Sequence, residues 1–241
     1  MRYTITITKR EVAMVIENYS KLTAVFINCS IGKDVSKSHT QKLMDKVSVI
    51  MKNQGVTVTD IYARSHQIAT GMIKDGAEQG EADEWPDIQR QIVDADILVI
   101  GTPVWLGDKS SVASKVIERL YAYSSDTNDK NQYVYYNKVG GAVVTGNEDG
   151  VKNCSRDITY SLGHIGYTIP PQPDAGWLGA IGPGPSYGDT EYAGKKLDAP
   201  AGFDSDFTNK AVETMAWNLM HMAHLLKSSG GIPAIGNTTN K

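Results

Sequence analysis

Cysteine is scarce, with only Cys29 and Cys154 in 241 residues. Two thiols cannot build a disulfide framework, a four-thiolate iron-sulfur site or a zinc ribbon. A reducing compartment, the cytoplasm, is therefore expected. Long apolar runs are also missing. No stretch of about 18 apolar residues occurs, so no membrane span is expected. The opening MRYTITITKREVAMVIENYSK breaks up its apolar residues too soon for a signal peptide. An excess of one charge is lacking as well: 27 acidic against 24 basic residues leave a formal charge of -3. That balance excludes the broad cationic surface needed for nucleic acid or anionic membranes. With 41% hydrophobic and 21% charged residues, the chain has the composition of a globular domain with one large core.

What is present alternates between two periodicities. LTAVFINC (22–29) is a mostly apolar run, as a strand buried on both faces would be. From Ser36 onwards, Leu43, Met44, Val47, Ile50 and Met51 recur at helical spacing, and Gly55 follows as a C-terminal stop. VTVTDIY (56–62) and ADILVIGTP (95–103) read as strands, and polar residues 63–86 between them as a long excursion with at most a weak helix. A helical face at 112–121, a strand VGGAVVTG (139–146), a helical face at 151–165 and a short strand YTI (167–169) follow. Thirteen of the 34 residues 170–203 are Gly or Pro, which makes a functional loop the expectation there. A helix over roughly 205–228 and a loop-like tail close the chain. Such alternation predicts a parallel α/β sheet with helices on both faces.

In that architecture ligands bind beyond the carboxyl ends of the strands. After the first strand stand Ser30, Ser36, Ser38 and Thr40, hydroxyls beside the free amides of a helix start, an arrangement suited to a phosphate. Simple capping by Ser36 or Ser38 accounts for either one alone. No GxxxxGK[ST] occurs, no GxGxxG follows the first strand, and no GxSxG is present. These gaps remove the triphosphate loop, the dinucleotide fold and the hydrolase elbow, leaving a monophosphate site. GTPVWLGDKSS after the third strand adds the flat face of Trp105, and TGNEDG (145–150) adds another turn rich in backbone donors. Together these loops suit a phosphate, a polar chain and a planar ring, the parts of FMN. The other chemistry-bearing residues read as structural. His221 and His224 lack an evident third ligand and read as surface or interface residues, Cys29 and Cys154 sit at packing positions, and the methionines at 215, 220 and 222 read as core or subunit contact.

The combination of NCS with SHTQKL, GTPVWLGDKSSVASKVIERL, VVTGNEDG, GWLGAIGPGPSYGD and FTNKAVETMAWNLMHMAHLLK resembles the flavodoxin-like NAD(P)H-dependent FMN reductase family, in its larger form, over about residues 22–235. The resemblance implies a doubly wound five-stranded parallel sheet of order 2-1-3-4-5. It divides the chain into an extension (1–21), an FMN-binding domain (22–169) and a Gly/Pro segment with a C-terminal helix packed on the same domain (170–241). By the same resemblance Ser30, Ser38, His39 and Thr40 match the phosphate loop, with His39 where the family more often has Asn. Pro103, Val104, Trp105, Leu106 and Gly107 match the loop lining the ribityl chain and ring. Thr145, Gly146, Asn147, Glu148, Asp149 and Gly150 match the loop at the ring's other edge.

The activity implied is an FMN-dependent NAD(P)H oxidoreductase of the quinone-reductase type. It would pass electrons from NADPH or NADH to a small acceptor such as a quinone, flavin, azo or nitro compound. No catalytic side chain and no metal is expected, because the flavin performs the chemistry. A homodimer or homotetramer is implied, with Trp177 and Tyr187 as candidates to cover the flavin. Two other readings stay open: an FMN-binding electron-transfer protein that does not oxidise NAD(P)H, and a flavin-free scaffold on the same fold.

Overall fold

The computed structural model describes residues 18–179 and 184–239. Most of the extension 1–21, and the middle of the GWLGAIGPGPSYGD segment, lie outside these residues. Five parallel strands make the main sheet: β1 (Thr23–Asn28), β2 (Thr57–Tyr62), β3 (Ile97–Trp105), β5 (Val139–Gly146) and β6 (Asp174–Leu178), in the order β2-β1-β3-β5-β6. A two-residue strand β4 (Asp108–Lys109) folds back antiparallel on the end of β3. The expected 2-1-3-4-5 order of the five parallel strands is what the structure has.

Helices α1 (His39–Asn53) and α5 (Asp206–Ser228) cover one face of the sheet, and α2 (Trp85–Asp94), α3 (Ser111–Tyr121) and α4 (Val151–Ile165) the other. Neighbouring strand residues divide between the two layers. Ala24 and Phe26 pack with Leu43, Met44 and Val47 of α1, whereas Val25 and Ile27 pack with Ile88 and Ile92 of α2. Burial on both faces explains why these strands are apolar without interruption.

Two expectations need correction. The fifth strand is not YTI: Thr168 makes one isolated bridge to Val139, and the strand proper is Asp174–Leu178, inside the Gly/Pro-rich stretch. Gly176 allows it, because a Cβ there would stand 2.5 Å from Val151 Cγ1. The same stretch also carries a small hairpin, β7 (Glu191–Tyr192) with β8 (Lys195–Lys196). The second miss is α2, at the end of what reads as a polar excursion. Pro86 sits at the helix start, where its missing N–H costs nothing, so it opens the helix instead of breaking it. Trp85, Ile88 and Ile92 supply the buried face.

Close packing seats α1 on the sheet. Gly101 of β3 lies under it, and a Cβ at this position would come within 2.1 Å of Met44 Sδ and 3.0 Å of Thr40 Cγ2. Bare backbone there lets the first turn of α1 settle beside the ends of β1, β3 and β5.

Candidate functional site

The loop after β1 is shaped by one buried amide. Asn28 Oδ1 accepts from Ser30 N (2.8 Å), and Asn28 Nδ2 donates to Ser38 Oγ (3.0 Å) and Gln41 Oε1 (2.9 Å). Ser38 is the N-cap of α1, accepting from Gln41 N at 3.0 Å, and its hydroxyl lies 2.8 Å from that of Ser30. Capping and a hydroxyl pair are thus features of the same residue. Ser36 lies apart, exposed and held by Asp34 Oδ1 in a local turn. From the end of β2, Tyr62 donates to Gly32 O (2.8 Å) and Arg64 Nε to Ile31 O (3.2 Å), which ties down the loop's outer side.

Thr40 and Thr145 share a buried hydroxyl contact of 2.8 Å that links the first turn of α1 to the end of β5. Beyond β3 the chain reverses through Leu106 and Gly107, both at positive φ (52° and 80°). Such a turn suits a two-residue hairpin but is strained for leucine. Leu106 is 95% exposed and Trp105 51%. The loop after β5 is bound to this hairpin: Glu148 Oε1 accepts from Leu106 N (3.0 Å), and Asn153 Nδ2 donates to Gly107 O (3.1 Å). Gly150, with φ of 130°, meets Gly107 so closely that a Cβ would lie 2.6 Å from Gly107 O. Gly150→Ala is therefore expected to destabilise the protein by about 2–3 kcal/mol through backbone strain and a forced separation of the two loops. Denaturant unfolding measures this, and a loss under 0.5 kcal/mol would refute the close joint.

One cleft collects ten of the fifteen expected site residues: Ser30, Ser38, His39, Thr40, Pro103, Val104, Trp105, Thr145, Gly146 and Asn147. Leu106, Gly107, Glu148, Asp149 and Gly150 do not line it, and the loop joint just described accounts for most of them. Six further lining residues were not foreseen: Ile31, Gly32, Asp34, Lys37, Tyr62 and Ser186. The first four follow Ser30 in its own loop and could have been found there. Tyr62 and Ser186 come from distant segments. Tyr187, offered as a cover for the flavin, also lines the cleft, and its side chain is fully buried against Phe203 (ring centroids 5.1 Å apart) and Trp177 (6.0 Å). Trp177 is not among the lining residues.

The donor set fits a flavin mononucleotide. At one end, the hydroxyls of Ser30 and Ser38 and the N-terminus of a 15-residue helix supply neutral donors and a favourable dipole for a phosphate. At the other, Val104 and the face of Trp105 offer apolar surface for a ring. Neither cysteine competes as a nucleophile. Both are buried, and burial pushes the Cys29 thiol far up and Cys154 up to about 11.

The family model of NADPH-dependent FMN reductases matches residues 22–177. The chain belongs to this FMN reductase family. That span contains the whole sheet up to Trp177 and every cleft residue except Ser186 and Tyr187. Two curated proteins and a solved structure are also similar. The divalent metal cation transporter MntH of Mycobacterium bovis is 46% identical over an alignment of 233 residues that covers 92% of this chain and 33% of that protein. The chain thus spans a third of that relative's length. Among the described residues no helix is long and apolar enough to cross a membrane. The 8-demethyl-8-aminoriboflavin-5'-phosphate synthase of Streptomyces davaonensis is 33% identical over 86% of this chain and 79% of that one. The crystal structure of RosB with its bound intermediate 8-demethyl-8-formylriboflavin-5'-phosphate superposes with a TM-score of 0.76, at 33% identity, covering 86% of this chain and 81% of that one. In this member of the family α1, whose first turn lines the cleft, packs directly on α5 and on the sheet.

Proposed function

We propose that the chain is an FMN-dependent oxidoreductase that takes electrons from NADPH or NADH and passes them to a small organic acceptor. The observation that carries this reading is the cleft in which a hydroxyl-lined helix start adjoins the Pro103–Val104–Trp105 wall, in a chain of the FMN reductase family. FMN, when bound, supplies the hydride-accepting and electron-donating chemistry. Ser30, Ser38 and the first amides of α1 hold the phosphate. Asn28, itself buried, orients the Ser38 hydroxyl and fixes the backbone amide of Ser30. Gly146 and Asn147 present backbone amides beside the ring position, where they favour negative charge. The exposed Trp105 and Leu106 form the apolar lip across which a nicotinamide and then an acceptor are positioned.

Anaerobic titration of the FMN-loaded protein with NADPH, and separately with NADH, tests this. Bleaching of the flavin bands by either nicotinamide is the expected result. Bound FMN that neither cofactor bleaches would mean an electron-transfer protein dependent on a separate reductase. No FMN binding would mean a repurposed fold.

The relatives favour one second reading. A protein 33% identical to this chain is named for synthesis of a modified riboflavin phosphate, and RosB holds such a molecule as an intermediate. Flavin phosphate would then be a substrate of this cleft, and mass spectrometry of flavin recovered after turnover would show a changed mass.

A further inference from the structure

The wall at 184–189 lies outside the span matched by the family model, yet two residues of α1 hold it to the cleft. His39 Nδ1 lies 2.6 Å from Tyr187 O, and Lys42 Nζ donates to Gly188 O at 3.1 Å. Asp189 sits at the centre: its Oδ2 accepts from Ser186 N (2.7 Å), and its Oδ1 lies 3.7 Å from His39 Nε2. His39 is thus placed between a carbonyl and a carboxylate, both from the wall. Both side chains keep about a third of their surface in solvent, 36% and 31%.

We propose that His39 and Asp189 form a protonation-dependent latch that fixes the Ser186–Tyr187 wall of the cleft and thereby sets how fast flavin leaves it. The inference rests on the flavin reading for its second half only. With a neutral imidazole, Nδ1–H donates to Tyr187 O and Nε2 turns a lone pair toward the carboxylate. Protonation adds an N–H and a positive charge on that side, so the pair becomes an ion pair and the wall tightens. The positive end of the α1 dipole opposes a cation at this position, and Asp189 offsets it. The other charged or titratable groups nearby are Lys42 on the next turn of α1, Asp34 and Lys37 in the turn before it, and Tyr62 at the end of β2. Lys42 is already committed to Gly188.

Amide hydrogen exchange of the 184–190 segment in the flavin-free protein tests the latch, and stopped-flow release of FMN tests its consequence. Protection of the Ser186 amide, corrected for intrinsic exchange, is expected to be about threefold to fivefold greater at pH 5.5 than at pH 8, the scale of a half-exposed ion pair. Asp189→Asn, which keeps an acceptor for Ser186 N, should abolish that difference. His39→Asn, which keeps a donor for Tyr187 O, should abolish it too. Between pH 8 and pH 5.5 FMN release should slow by a similar factor more in the wild type than in either variant, whose remaining pH dependence is that of the flavin phosphate itself. Equal protection at the two pH values overturns the latch, whatever the flavin does. If Asp189→Asn retains the full pH dependence of release, the effect is attraction between His39 and the phosphate, and the latch is overturned as the cause. Absence of FMN binding with pH-dependent protection would sink the flavin reading and the retention role while leaving the latch itself established.

Discussion

Arg119→Met is expected to lower stability by about 3–5 kcal/mol, because it leaves a carboxylate buried without its cation. The Arg119 and Asp83 side chains are both wholly shielded from solvent and meet at 2.6 Å. Arg119 also donates to Ala69 O (2.9 Å) and Lys74 O (3.1 Å). Asp83 accepts from the amides of Ala69, Trp85 and Gly76. The pair therefore pins the whole stretch from Ala69 to Trp85 under α3. Asp83→Asn combined with Arg119→Met removes both charges and should cost clearly less than Arg119→Met alone. Thermal and denaturant unfolding read both, and for a chain of this size the single variant should lose roughly 10 °C in Tm. A loss under 1 kcal/mol in the single variant would show that the pair does not hold the loop.

The same pair gives a pH dependence with a definite sign. Burial pushes the Asp83 pKa up, but the Arg119 guanidinium and the three amides outweigh it and leave it below the ordinary 3.8. A carboxylate whose pKa is lowered by folding stabilises the fold above its unfolded value, and loses that contribution as pH falls through the folded value. The pair therefore supports the loop fully at neutral pH and fails only in acid, below about pH 4.

Ser38→Asp is the second large effect, this time on ligand binding with the fold retained. Aspartate is as good an N-cap as serine, so Gln41 N keeps its partner and thermal stability should stay near wild type. The phosphate proposed for this loop would face a carboxylate instead of a hydroxyl. Two like charges about 4 Å apart in a half-buried site repel by about 4 kcal/mol. FMN affinity should therefore fall at least a hundredfold, as followed by flavin fluorescence. Ser30→Ala, which loses one neutral donor, should weaken binding by about tenfold. Affinity unchanged in Ser38→Asp would place the phosphate away from α1 and undo the assignment of this loop.

Much of the fold was legible because strands buried on both faces and helices with one apolar stripe leave unmistakable patterns. β1, α1, β3, α3, β5, α4 and α5 were all visible in that way. The misses were those in which a local signal means different things in different contexts. Pro86 is a breaker inside a helix and an opener at its first turn, and the polar residues before it made the first reading the natural one. Asp174–Leu178 is an edge strand with a central glycine, so neither apolar periodicity nor β-propensity marks it. Its place is decided by pairing with β5 and by the close approach of Val151.

The candidate site divides along the same line. Ser30, Ser38, Pro103, Trp105, Thr145 and Asn147 were readable because they lie at strand ends or in the first turn of a helix, where chain order alone predicts convergence. The sequence by itself determined the parallel sheet, the family and the loops from which a ligand cleft would be built. Tertiary structure alone decided which loop residues face that cleft and which join the loops together, as Glu148 and Gly150 do. It also decided that Ser186, nearly 150 residues beyond His39, closes one side together with Tyr187, which the sequence had offered as a cover for the flavin. Contacts between segments so far apart depend on how the layers pack, and local periodicity carries no information about that distance.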